Sequence, residues 1–448
     1  MNLLQKILIR SMMLSIFLSV SSVSGTIDLE DWAKREVMRN VLLSPDGEKL
    51  ALLRIDAVGG NPKIEIFNAD LERIGEMDAK PMEITSFRWI TSDRIFFNAR
   101  QKVRDKIDGY NRGVYESTSG IITLDGEKSS VKKLSEELNG SLQSRLSKYP
   151  NKVILSVGVR GSFARLYYMY DIESQRKTLI TRSSRNRYNI SFNEDGEPEQ
   201  AEGYDGVSNE FLDYYRAKGS SGWEIVNRTH RESFESWGIV GKDPLNSKDL
   251  LVIAHNGNDK RGLWSFDPDQ KKLKELIYRR NDVDVAGVRY HTNTQKYPNV
   301  ITGVRYYQGN EEQIEWFDGE EKAVYEQIKS LIPYVGRFSI QSRSEDGKRF
   351  VVVNSSPRDP GTYYLLKDGE LKLIGSQKPQ LASADLADVK AISYESRDGR
   401  KIPGSITVPN SEPPYPLVVM PHGGPFVSER VFYDEWAQIL ANRGYMVL

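Results

Sequence analysis

The stretch PLVVMPHGGP, residues 416–425, decides the fold of the C-terminal part of the chain. Pro416 precedes a short apolar run, Leu417 to Met420, which reads as a buried strand. Gly423 and Gly424 follow almost at once, so backbone N–H groups at the C-terminal edge of that strand stand clear of side chains. Preorganised donors of this kind can stabilise an oxyanion without reorganising as charge develops. Residues 431–442 carry helical spacing, with Phe432, Trp436, Ile439 and Leu440 on or near one side, and Gly444 stands where a C-cap glycine belongs. Tyr445 to Leu448 then begins another apolar strand. The order strand, glycine loop, helix, strand predicts a parallel α/β unit. Just before it, residues 388–394 and 401–408 read as two strands around the turn Ser396, Arg397, Asp398, Gly399.

Upstream of about residue 385 the pattern changes. Segments rich in Val, Ile, Leu, Tyr and Phe alternate with Gly, Asp, Asn and Pro, and strands dominate. Residues 153–157, 166–170 and 177–180 form one such group, 250–254, 262–266 and 272–277 another, and 349–354, 362–366 and 370–374 a third. Asp-Gly pairs at Asp46, Asp125, Asp195, Asp346 and Asp368 fit hairpin turns and lack the alternating acidic spacing of a calcium loop. Antiparallel units recurring at roughly 40 to 50 residues are the signature of a β-propeller, and residues 40–380 leave room for about seven blades. An array of β-sandwiches would need linkers, and no long Pro/Ser/Gly-rich stretch is present. Two helices are expected as packing elements, over 29–39 and 320–331. The expected architecture is therefore a propeller domain over 25–385, with an N-terminal helix, followed over 386–448 by the first part of an α/β-hydrolase domain.

Composition narrows the function. The chain has 448 residues, 39% of them hydrophobic, enough for a substantial core, and Lys+Arg (62) balance Asp+Glu (62). Zero net charge removes the simplest electrostatic case for nucleic acid. With no cysteine, thiolate metal sites, disulfides and a Cys nucleophile are excluded; no cofactor or metal is expected. Lys6 and Arg10, an apolar stretch from Met12 to Val20, and the small residues Ser22 and Ser24 form a secretory signal over 1–24. That stretch is too short for a stable membrane anchor. The expectation is an exported protein, periplasmic or secreted, that does not span the membrane after cleavage.

Residues 416–425 and 432–448, with the Ser396 to Gly399 turn, resemble the start of the catalytic domain in the prolyl oligopeptidase family of serine peptidases. Upstream, Asp359 to Leu365 (DPGTYYL) resembles the last propeller blade of the branch that holds acylaminoacyl peptidases and related dipeptidyl or oligopeptidases. The resemblance implies a Ser-Asp-His triad acting on short peptides. It also implies that the Gly424 amide donates one oxyanion hydrogen bond, with His422 shaping the loop. Prolyl oligopeptidases and dipeptidyl peptidases proper carry a tyrosine where this chain has His422, which points to the acylaminoacyl-type branch.

The nucleophile of an α/β-hydrolase sits in a Gly-x-Ser-x-Gly elbow. The two glycines four apart in this sequence, Gly109 and Gly113, enclose Asn111, so the 448 residues hold no elbow. His230, His255 and His291 fall in the propeller region and read as structural or exposed; His422 belongs to the glycine loop. The sequence thus reads as the front part of a peptidase, with the triad expected beyond Leu448 and no activity expected of the fragment itself. The alternative is a non-enzymatic propeller, a binding module retaining a hydrolase remnant; a lipase or esterase is a third option. Residues 417–448 favour the enzyme, because a pure binding propeller has no use for a glycine oxyanion loop.

Overall fold

The computed structural model describes residues 26–55, 58–105, 113–126, 128–246, 248–309, 311–424 and 430–448. The expected signal segment and the end of the glycine loop, residues 425–429, lie outside them. Among the described residues the chain is mostly sheet, with few helices. Seven antiparallel meanders follow one another: sheet 1 (38–77), sheet 2 (83–133), sheet 3 (141–182), sheet 4 (188–230), sheet 5 (237–279), sheet 6 (285–316) and sheet 7 (337–376). Six have four strands and sheet 6 has three. Sheet 8 (388–447) differs: the antiparallel pair Asp388–Glu395 and Lys401–Val408 is continued by Met446–Val447, which lies parallel to Leu417–Val418.

The sheets pack in chain order through shared apolar clusters. Leu53 and Ile64 of sheet 1 meet Phe87 and Phe97 of sheet 2. Ile121 of sheet 2 meets Leu155 of sheet 3, and Ile154 of sheet 3 meets Ile190 and Ala201 of sheet 4. Val226 of sheet 4 packs with Phe266 of sheet 5, and Leu263 of sheet 5 with Val304 of sheet 6. Between sheets 6 and 7 lies helix α2 (Gly319–Leu331), whose Tyr325 ring contacts Trp316 on one side and Phe338 on the other. Val41, Leu50 and Leu52 of sheet 1 share a cluster with Val351 and Leu365 of sheet 7. The chain of contacts therefore returns to its start.

Turn chemistry fits the sequence and adds a repeated word that the pattern reading passed over. Ser44, Asn193, Ser344 and Ser396 each stand three residues before the glycine of an Asp-Gly pair, and in each the glycine N–H donates to the carbonyl of that first residue at 2.9–3.0 Å. All four turns join the first and second strands of their sheets. Gly47 has φ +74°, and a Cβ there would come within 2.7 Å of Ser344 Cβ, so the turns of sheets 1 and 7 touch where only glycine fits.

Two helix expectations need correction. The segment 29–39 is helical only over Leu29–Ala33 (α1). Beyond it the Val37 N–H donates to Gln377 O at 2.8 Å and Met38–Leu43 pairs as the first strand of sheet 1, so tertiary pairing overrides local helical spacing. The segment 431–442 is helical only over Glu435–Asn442 (α3), because Asp434 caps it, accepting from Ala437 N at 3.0 Å. Helix α2 keeps nearly the expected bounds, with Asp318 as its cap.

Candidate functional site

The expected oxyanion loop ends the strand Leu417–Val418. That strand is held by Met446 N to Pro416 O (2.9 Å), Leu448 N to Val418 O (2.9 Å) and Met420 N to Leu448 O (2.7 Å). The parallel pairing and the intervening α3 form a βαβ crossover. Gly444, with φ +86°, terminates α3 and donates its N–H to Ala441 O. The helix is anchored to the rest of the chain by Gln438, which is 1% exposed. Its Nε2 donates to Pro357 O and Ala387 O, and its Oε1 accepts from Ala387 N, each at 2.8 Å. Ile439 also packs with Trp32 of α1 and with Leu381 and Leu386. The loop thus springs from a fixed base.

His422, Gly423 and Gly424 are exposed. His422 Nδ1 contacts Gly423 O at 2.5 Å, so the ring closes on its own loop. Among the described residues no hydrogen bond uses the Gly424 N–H, which leaves that donor uncommitted. In the strand before the loop and the segment after it Leu417, Val419, Phe432 and Trp436 are exposed, and Leu417–Val418 pairs on one side only among the described residues. His230 and His255 serve as local acceptors: His230 Nδ1 takes Glu232 N at 3.3 Å and His255 Nδ1 takes Ser236 N at 2.9 Å.

The structure brings together residues that the sequence did not single out. A cavity of about 590 Å³ opens between the first strands of sheets 1, 2, 3, 6 and 7, and its wall carries Arg88, Arg145, Arg289, Arg305 and Arg343 but no carboxylate. Arg145 keeps solvent contact across the cavity while protein surrounds it elsewhere. Removal from water holds its guanidinium below the ordinary value, the like charge of Arg88 adds to this, and Glu345 opposes it. One faint signal was present: Gln-Ser-Arg occurs at 143–145 and again at 341–343, both on first strands.

Beside this wall Glu321, 3% exposed, gathers four groups. Oε1 accepts from Arg343 Nη1 (2.6 Å) and Thr292 Oγ1 (3.1 Å), Oε2 accepts from Thr292 N (2.9 Å), and His291 Nε2 lies 3.5 Å away. His291 Nδ1 accepts from Asn293 N at 3.0 Å, which places the ring proton on Nε2, toward Glu321. Burial lowers the His291 pKa, with Glu321 opposing.

A second cleft, about 520 Å³ between sheets 4 and 5, is acidic, with Glu202, Asp213 and Glu235 in its wall. Burial pushes the Asp213 carboxyl from 3.8 up to about 6, against the bond it accepts from Asn227 Nδ2 at 2.9 Å and with help from Glu202. A raised acid favours folding fully at low pH and loses that contribution as pH rises through about 6; the gap corresponds to roughly 3 kcal/mol at most. Asp213→Asn keeps an acceptor for Asn227 and removes the charge. The variant is expected to match the parent at pH 4 and to exceed it by about 1–3 kcal/mol at pH 7.5, read from urea unfolding at both pH values. Equal stabilities at pH 7.5 would show that Asp213 ionises without cost.

Among the described residues no helix is long and apolar enough to cross a membrane, and no group of three His, Asp or Glu side chains is placed to hold a metal ion.

No family model matches the chain. It is similar to dipeptidyl aminopeptidase BIII of Pseudoxanthomonas mexicana, 25% identical over 325 residues that cover 67% of this chain and 44% of that protein. The chain spans less than half the length of the curated relatives it matches. Its fold is similar to that of Porphyromonas gingivalis dipeptidyl peptidase 4, with TM-score 0.55, 12% identity, and 94% of this chain and 73% of that one covered. It is also similar to that of prolyl oligopeptidase B from Galerina marginata, with TM-score 0.59, 12% identity and coverage of 93% and 62%. In sequence the chain is thus similar to dipeptidyl peptidases, and in fold to dipeptidyl peptidase 4 and the prolyl oligopeptidases.

Proposed function

We propose that this chain is the substrate-admitting part, and the beginning of the catalytic part, of an exported serine-type peptidase that hydrolyses short peptides. In this reading residues 25–385 form a seven-bladed β-propeller and residues 386–448 open an α/β-hydrolase domain. The propeller reading is supported by the apolar clusters that link sheets 1 to 6 in order and sheet 7 back to sheet 1, with α2 bridging sheets 6 and 7. It is supported too by the first strands of five sheets lining one cavity, as strands around a central channel would. Seven units of three or four strands closed on themselves leave only short sheet edges, so no linker is needed between them.

The observation that carries the peptidase reading is the uncommitted Gly424 N–H at the end of a fixed parallel strand. Such a donor lowers the barrier to acyl transfer only if it points at developing negative charge and is spent on nothing else. The second oxyanion donor and the Ser, Asp and His of the triad belong, in this reading, to residues outside the 448, since these contain no Gly-x-Ser-x-Gly. The binding-module alternative gives the glycine loop no task, and nothing in the site favours it.

Gly424→Pro in the native enzyme deletes this donor and also forces the backbone away from its φ of +156°. It is expected to lower kcat about 10²- to 10³-fold on short peptides with KM little changed, the range found when a single oxyanion donor is lost. Gly424→Ala keeps the N–H but strains the loop, since φ +156° at this position favours glycine, so it reports the cost of distortion alone and is expected to lose less activity than Gly424→Pro. Equal loss in both variants would remove Gly424 from the oxyanion role.

A further inference from the structure

We propose that the cavity between the first strands of sheets 1, 2, 3, 6 and 7 is a carboxylate-binding site, in which Arg88 and Arg145 hold the anionic group of a peptide, its free C-terminus or an acidic side chain. The peptide in this statement rests on the peptidase reading; the anion site stands on the geometry of the cavity.

The chain as a whole is neutral, yet this wall concentrates five guanidiniums with no carboxylate among them. Two are neutralised from outside the wall, Arg305 by Glu312 at 3.2 Å and Arg343 by Glu321 at 2.6 Å. Arg289 lies over the rings of Trp316 and Tyr325, 5.3 and 5.2 Å from their centroids. Arg88 and Arg145 have neither kind of partner: among the described residues no carboxylate lies within 4.0 Å of either. Arg145 gives one N–H to Trp89 O at 3.1 Å. A guanidinium carries five donors, so among the described residues most of theirs have no protein acceptor.

Both arginines also line an adjoining cavity of about 580 Å³, whose wall adds Lys152 and Glu345, so the two spaces meet at this pair. Like charges held together in a concave wall raise the local concentration of anions, and the planar fork of arginine matches a carboxylate with two parallel hydrogen bonds. The volume lies within the range of sites that enclose a small ligand or a few residues of peptide. A bound carboxylate would supply the direct ion-pair partner that Glu345, which acts on Arg145 from beyond 4.0 Å, does not provide.

The test uses the 448-residue chain and needs no catalysis. Fluorescence anisotropy is read for N-terminally labelled neutral pentapeptides as the free acid, as the C-terminal amide, and as the amide with one internal Asp. Thermal unfolding is read in parallel with succinate and with inorganic phosphate. The free acid, the Asp peptide or both are expected to bind about tenfold or more tightly than the neutral amide, the scale of one charge-assisted hydrogen bond. Which of the two does so separates C-terminal from side-chain recognition. Arg88→Gln and Arg145→Gln are expected to abolish the difference, Arg88→Lys to retain part of it, and added salt to erode it, with circular dichroism checking that each variant is folded. Stabilisation by succinate that the Gln variants lose, without binding of any peptide, would keep the carboxylate site and defeat the peptide reading. Binding of phosphate alone, no preference for a carboxylate, or unchanged affinity in both Gln variants would overturn the proposal.

Discussion

Glu321→Ala is expected to destabilise the chain by about 3–5 kcal/mol, the cost of removing one partner from a buried ion pair. The carboxylate of Glu321 is 3% exposed and satisfies Arg343, the Thr292 hydroxyl and the Thr292 backbone N–H. Its deletion leaves the Arg343 guanidinium, with 13% side-chain exposure, without its carboxylate partner, though Nε still donates to Gly347 O and Nη1 to Thr292 Oγ1, and leaves the Thr292 N–H without its acceptor. Glu321 sits in the first turn of α2, Thr292 follows the first strand of sheet 6, and Arg343 ends the first strand of sheet 7. The residue therefore joins the two sheets that lack direct clustered contact and lean on α2 instead. Glu321→Gln keeps an acceptor for Thr292 and is expected to cost less, about 1–3 kcal/mol, as a hydrogen bond to a charged group is weakened. Urea unfolding of the three proteins at pH 7 measures both effects. A loss below about 1 kcal/mol for Glu321→Ala would show that Arg343 finds water or another acceptor and that the junction does not depend on this carboxylate.

Much of the sheet structure was legible because each strand carries its own signal. The run Leu250–Ala254 is buried throughout and its bounds are those read from the apolar stretch. The hairpin at Asp368 and Gly369 has both residues at positive φ, as a two-residue loop between paired strands requires. Residues 34–39 were misread for the opposite reason: their apolar spacing suits a helix, and what decides against it is Gln377, more than three hundred positions away. The Pro-His-Gly-Gly loop announced itself by composition, but that the Gly424 N–H stays unspent depends on how the strand and α3 are fixed, which no local pattern carries. The arginine wall was the least legible feature. Each of these arginines lies on a different strand, and four sheets must converge before the charges share one space. Only the repeated Gln-Ser-Arg hinted that first strands present similar faces.

The reading of this chain as part of a serine peptidase is tested most directly by covalent labelling with a fluorophosphonate probe followed by peptide mapping, applied to the polypeptide isolated from its native source and to the 448-residue chain alone. The probe reacts with a serine only when a base and an oxyanion hole activate it. None of the serines in the 448 residues lies in a Gly-x-Ser-x-Gly elbow, and His422 is turned onto the carbonyl of Gly423. The expected result is rapid labelling of the native polypeptide on one serine outside residues 1–448, and no labelling of the 448-residue chain. Labelling of a serine within these residues, or a native polypeptide that the probe leaves unmodified, would contradict it.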